Sequence, residues 1–301
     1  MSTAASRPAA WHQRTERGSP ALLRFMRWAS LALGRGPSRP LVRLIAAYFL
    51  ASEGDARRAV QEFLARVLGR EPTLAELYHQ FFMFSATIHD RVYFLTGRFE
   101  LFEIEVHGLD LFGPEGMLLM GAHLGSFEAL RCCGRHLGQR RVTMAMHEGN
   151  RRLRSVLASL DPALLADVVT LGRPQAMIDL AERLDEGSIV GLLADRRLGS
   201  EPAALIDFLG TPAPFPTGPM RLAAALRRRV VFMAGLYRGG NRYEIRFEPL
   251  ADFSTLEGLS RAERGRLVAD ATLAYARCLE RYAREAPDNW FNFHDFWGRG
   301  G

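Results

Sequence analysis

Residues 116–133 read GMLLMGAHLGSFEALRCC, and the fold class follows from how this stretch is parsed. Residues 117–120 are an uninterrupted apolar run, closed by Gly121 and Ala122. A short apolar run ended by glycine predicts a strand buried on both faces, as in a parallel sheet. His123 follows, then Gly125 and Ser126, then Glu128 at a predicted helix start. Open α/β sheets bind ligands beyond the carboxyl ends of their strands. His123 therefore stands where chemistry is expected.

Outward from this stretch, strands and helices alternate. FELFEIEVH (99–107) alternates in polarity, and 141–146, 168–171, 188–194, 230–236 and 242–249 read as further strands. Helices are predicted over 128–137, 153–165, 174–185, 218–227 and 259–286. Ser126 is the expected N-cap of the first of these. Phe208–Pro219 (FLGTPAPFPTGP) reads as an irregular loop, rigid enough to line an acyl channel. The pattern implies an α/β fold with a mixed, largely parallel central sheet flanked by helices.

Ahead of the sheet lie a loose arm (1–19) and a helical section (20–95), with helices at 20–33, 41–52, 55–68 and 73–95 and a Gly-Pro-Ser-Arg-Pro linker near 34–40. Residues 96–301 are the α/β core, continuous with 20–95 as one domain. The apolar parts of 20–52 are interrupted by Arg24, Arg27 and Arg43. They fall short of the ~20 consecutive apolar residues a membrane span needs. Arginine beside Trp28 and Tyr48 fits helices lying on a membrane surface, or a pair packed on the protein's own core. No signal peptide is read at the N-terminus.

All 39 basic residues are arginine, and the net charge is +6. A lysine-free chain excludes Schiff-base and P-loop lysine chemistry. Arginine suits bidentate contacts to phosphate or carboxylate, and a basic surface suits an anionic membrane, an acidic carrier protein or nucleic acid. The three cysteines, Cys132, Cys133 and Cys278, show neither CxxC nor framework spacing, which points to a reducing compartment. No metal-ligand spacing, GxGxxG or Walker pattern occurs, so no cofactor and no metal is expected. Basic and aromatic residues do not interleave as in nucleic-acid modules, so no nucleic-acid partner is expected.

The chemistry rests on His123 and Glu128, spaced H-x4-E. With 8 His and 33 acidic residues in 301, roughly one such spacing arises by chance. Context lifts this one: a strand-end imidazole with a carboxylate one turn into the next helix. A carboxylate on one ring nitrogen leaves the other as a base toward a hydroxyl or amine. Backbone N–H groups at that helix start would stabilise an oxyanion. Asp195, Arg196 and Arg197 directly follow a buried strand, and the two arginines form a candidate phosphate site. Arg151, Arg152 and Arg154 read as a solvated face, and His89–Asp90–Arg91 as a structural polar cluster.

With these residues stated, the chain resembles the lysophospholipid acyltransferase superfamily, in the branch of lipid A biosynthesis (late) acyltransferase-like proteins. The resemblance spans about residues 11–297. It is carried by GAHLGSFE, GSIVGLLADRRLG, IDFLGTPAPFPTGPMRLAAAL and APDNWFNFHDFW, with WHQRTERGS and IHDRVYF in support. It implies transfer of a fatty acyl group from acyl carrier protein, or CoA, to a lipid or glycolipid acceptor. The setting it implies is the cytoplasmic face of a bacterial inner membrane. His123 and Glu128 match the family's H-x4-D/E pair and inherit its base and orienting roles. Asp195 matches the acid after the second buried strand. Gly125, Ser126, Asp195, Arg196 and Arg197 are the expected substrate-binding residues. The alternatives are a thioesterase or lipid hydrolase using the same pair, and a non-catalytic lipid-binding partner.

Overall fold

The apolar runs become strands: β1 (Glu103–His107), β2 (Met117–Gly121), β3 (Val142–His147), β4 (Val168–Leu171) and β5 (Ile189–Leu193), then β6 (Ala203–Phe208), β7 (Thr211–Pro216), β8 (Arg229–Tyr237) and β9 (Arg242–Asp252). The computed structural model describes residues 28, 30–134, 140–147, 162–197 and 201–298. Seven strands form one sheet in the order β1-β9-β8-β2-β5-β3-β4. β2 lies at its centre, parallel to both β5 and β8. β3 and β4 extend the parallel side, while β9 returns antiparallel to β8 with β1 beside it. The expected mixed, largely parallel sheet is what forms.

Every residue of β2 is buried because both faces of the sheet are covered. Met117 and Leu119 pack with Met83, Ala86, Tyr93 and Phe94 of the helix Leu74–Leu95. Leu118 and Met120 face the other way, into a cluster with Tyr275, Leu279 and Tyr282 of the helix Arg261–Glu285. Side chains alternate across a strand, so a centre strand with two apolar neighbours must be apolar throughout.

Ahead of the sheet, the described residues include the helices α1 (Arg35–Ser52), α2 (Gly54–Leu68) and α3 (Leu74–Leu95). The predicted linker at 34–40 instead belongs largely to α1, with Pro40 inside the helix. Tertiary contacts override the proline signal. Arg35 meets Asp90 of α3 through Nε at 2.8 Å and Nη2 at 2.9 Å, and Arg39 Nη1 reaches Asp90 at 3.2 Å. Tyr243 Oη of β9 donates to the same carboxylate at 2.9 Å, and Ser38 Oγ lies 2.8 Å from His89 Nε2. This knot of buried polar groups ties the helical section to the sheet.

The stretch read as a loop at 208–219 is, up to Pro216, an antiparallel hairpin of β6 and β7. Pro212, Pro214 and Pro216 alternate, so the residues between them carry the ladder and the missing proline N–H groups cost it no hydrogen bond. Leu209 and Gly210 turn it with φ of 55° and 77°, both in the left-handed region that a two-residue hairpin turn demands. Its inner face, Phe208 and Phe215, is fully buried against Trp290, Phe296 and Tyr275. A packed face of this kind does not line a channel, which corrects that expectation. Residues 128–133 form a 3-10 helix rather than an α-helix, and 135–139 lie outside the described residues. The arm at 1–19, most of the helices expected at 20–33 and 153–165, and Arg151, Arg152 and Arg154 also lie outside them.

Candidate active site

Register builds the site. β2 and β5 pair in parallel with Gly121 opposite Leu193. Two residues further, His123 and Asp195 leave the same sheet edge side by side. His123 Nδ1 lies 2.8 Å from Asp195 Oδ1, and the His123 backbone N–H donates to Asp195 Oδ2 at 3.1 Å. The Asp195 side chain is 2% exposed and that of His123 31%. Burial works to raise the Asp195 pKa, but His123 and Arg196 more than reverse it, holding the carboxyl well below its usual range. An ionised carboxylate only accepts, so Nδ1 carries the proton and Nε2 is left with its lone pair. Desolvation, then the cations Arg196 and Arg91, lower the His123 pKa against the opposing pull of Asp195. The imidazole is thus neutral at pH 7 and can act as a base.

Glu128, expected to steady His123, is paired elsewhere in this structure. Its side chain is 5% exposed and forms an ion pair with Arg91 of α3, Nε to Oε1 at 2.8 Å, while Ser126 Oγ donates to Oε2 at 3.3 Å. Local spacing put a carboxylate near the imidazole, but the strand pairing brought a nearer one to Nδ1.

Gly125 and Ser126, expected in substrate binding, belong to the scaffold by their backbone bonds. Gly125 N–H donates to Asn289 O at 2.8 Å, and Ser126 N–H to Gly235 O at 2.7 Å. Ser126 is not the helix cap: that position falls to Phe127, with no side-chain cap. Gly125 has φ 63°, and a Cβ there would lie 1.9 Å from Gly235 O. The reverse holds at Gly235, where a Cβ would lie 2.2 Å from Ser126 O. Gly235→Ala, on a strand rather than in the site, is expected to lower stability by roughly 1–3 kcal/mol through overpacking and to reduce turnover by displacing the His123 loop. Urea unfolding and an acyl-transfer assay measure the two effects.

Arg196 is half-buried, and its Nη2 donates to Phe291 O at 3.1 Å. Arg197 is exposed, and its Nε donates to Glu201 O at 2.8 Å. The structure therefore keeps Arg196 beside Asp195 and turns Arg197 toward its own loop. β3 ends at His147, which the parallel register with β5 brings level with Ala194 at the same sheet edge, on the side of β5 opposite β2.

Two contributors carried no chemical signal in the sequence. The first is the C-terminal segment. Phe291 N–H donates to His123 O at 2.7 Å, and Trp290 Nε1 donates to Asp195 Oδ2 at 3.2 Å. His294, its pKa pushed down to about 3 by burial and then by Arg196, adds a second neutral imidazole nearby. The aromatic richness of 290–297 was legible, but not its partner. The second is Arg91, read as structural from its neighbours His89 and Asp90. A narrow cleft beside Glu128 is lined by Leu95, Phe127, Leu130, Val142, Met144 and Leu164. Among the described residues, no group of His, Cys, Asp and Glu is arranged to hold a metal ion.

A family model described as bacterial lipid A biosynthesis acyltransferase matches residues 22–299. No curated protein matches the chain. Among solved structures, the chain is similar to the 1-acyl-sn-glycerophosphate (LPA) acyltransferase PlsC from Thermotoga maritima. The identity is 13%, 80% of this chain and 95% of that one are covered, and the TM-score is 0.38.

Proposed function

The chain belongs to the bacterial lipid A biosynthesis acyltransferase family and is an acyltransferase acting on a lipid-like substrate; from that premise we propose that His123, oriented by Asp195, is its general base. The observation that carries this reading is the 2.8 Å contact of Asp195 with Nδ1 of a partly exposed ring, which leaves the Nε2 lone pair free of that proton. Nε2 takes the proton of an acceptor hydroxyl or amine as that atom attacks the thioester carbonyl. The tetrahedral intermediate then collapses, the C–S bond breaks, and the imidazolium returns its proton to the leaving thiolate. Asp195 stabilises the imidazolium between the two transfers.

The donor is an acyl thioester of carrier protein or of CoA, and the acceptor a lipid or glycolipid. Among the described residues, no helix is long and apolar enough to cross a membrane. α1 nonetheless has two apolar stripes. Val42, Ala46 and Leu50 face the core, while Leu44 (68% exposed) and Tyr48 (61%) point outward next to Arg43. An apolar stripe flanked by arginine supports docking on an anionic lipid surface, as on the cytoplasmic face of the inner membrane.

Purified protein incubated with acyl carrier thioester or acyl-CoA, with and without vesicles of membrane lipid, tests the reading. An acylated lipid that forms only with vesicles supports it. Release of free acid without acylated lipid favours the hydrolase, and lipid capture without turnover of either donor favours a binding protein. Leu44→Ser with Tyr48→Ser is expected to weaken flotation with anionic vesicles by about tenfold or more, since losing ~1.4 kcal/mol of buried apolar surface already costs a factor of ten. Unchanged flotation of the double variant would remove α1 from the membrane contact.

A further inference from the structure

Acyl transfer places a negative charge on the thioester oxygen, and something must meet it. Of the backbone N–H groups that follow His123, those of Gly125 and Ser126 are engaged, with Asn289 O and Gly235 O. Arg91 is placed differently. It rises from the last turns of α3, its side chain is 30% exposed, and it pairs with Glu128 at 2.8 Å. That contact has the distance of an ion pair without the angle of a hydrogen bond. Nε is buried and makes no aligned hydrogen bond among the described residues. A guanidinium offers five N–H donors in a fixed fork, and a buried donor left unmet costs roughly 1–3 kcal/mol. Arg91 also lies close enough to His123 for its charge to act on that ring.

We infer that Arg91 is a further active-site residue, which stabilises the oxyanion formed on the thioester carbonyl next to His123, and that Glu128 is the positioning residue that holds it. This rests on the acyl-transfer reading above. It gives the acid of the H-x4-E spacing a task other than steadying the imidazole. When the acceptor atom bonds to the carbonyl carbon, the π pair moves onto oxygen, where the guanidinium meets it. When the C–S bond breaks, the pair returns. Nothing is oxidised or reduced, and the proton is carried by His123 alone.

Four variants, Arg91→Gln, Arg91→Lys, Glu128→Gln and the double Arg91→Gln/Glu128→Gln, test this with steady-state kinetics on vesicle-borne acceptor. Arg91→Gln is expected to lower kcat by about 10²-fold or more, the usual loss on removing an oxyanion donor, with KM for the donor changed less than about threefold. Arg91→Lys restores part of kcat, because the charge returns without the fork. Glu128→Gln lowers kcat less, and the double variant is no worse than Arg91→Gln, as expected of one unit.

A pH profile adds a readout that mere packing would not move. His123 is faced by Asp195, Arg196, Arg91 and His294. Removing one of the cations lets the imidazole bind its proton more readily, so the acid limb of kcat/KM moves to higher pH in Arg91→Gln. A kcat within threefold of wild type, or a rise in KM alone, overturns the oxyanion role; the latter would mean that Arg91 binds a substrate phosphate in the ground state. If Arg91→Gln fails to fold, Arg91→Lys and Glu128→Gln decide: both at full kcat overturn the proposal. His123→Ala run in parallel separates the two readings. Full activity there removes the base, and full activity in the Arg91 variants removes only Arg91.

Discussion

His123→Ala is expected to lower acyl transfer by about 10²–10⁴-fold, the range supplied by a positioned general base, with thermal unfolding close to wild type. The ring is 31% exposed at a strand end and contributes little packing. Asp195→Asn is expected to fall as far, for a reason specific to this site. Asp195 Oδ2 receives two donors, the His123 N–H and Trp290 Nε1, at 3.1 and 3.2 Å. In an asparagine those donors fix the carbonyl oxygen at that position and turn the amide NH₂ toward His123 Nδ1. The amide then donates to Nδ1, forcing the proton onto Nε2, where the base must be free. Wild-type kcat/KM should rise with pH through the His123 pKa. Because that pKa is depressed, the acid limb lies below the unperturbed value of ~6.5. Retained activity in Asp195→Asn would mean that the pair does not set the tautomer.

Asp90→Ala is expected to destabilise the fold by roughly 3–5 kcal/mol, the cost of leaving buried cations without their partner. The carboxylate is fully buried, and Arg35 and Arg39 are only 14% and 15% exposed. Tyr243 Oη loses its acceptor as well. Burial alone would raise the Asp90 pKa, yet His89, Arg35 and Arg39 hold it below the ordinary value. A group whose pKa is lower in the folded state gives stability above its unfolded pKa of ~3.9 and loses it as pH falls through the folded one. The gap between wild type and variant in urea unfolding should therefore be full at pH 7 and shrink in strong acid. A gap below about 1 kcal/mol at pH 7 would show that the knot contributes little net stability, as buried ion pairs sometimes do.

The sheet was legible because burial on both faces leaves a mark on every residue. Residues 117–120, 168–171 and 188–194 could be read as strands from apolarity alone, and the strand-end position of His123 came with them. Pro212, Pro214 and Pro216 hid a hairpin, because a two-stranded ribbon tolerates alternate prolines that a centre strand would not. The proline-bearing start of α1 was hidden because Asp90, more than fifty residues away, holds it.

The family and the proposed base were written in the local sequence, since a motif and its strand are contiguous. The base's partner was not. Glu128 lies five residues from His123 and Asp195 lies 72, yet the pairing of β2 with β5 makes the distant acid the neighbour. Spacing along a chain limits what one element can bring together. Strand register decides what two elements do, and here it moved the carboxylate of the H-x4-E spacing from the imidazole to an arginine on a third.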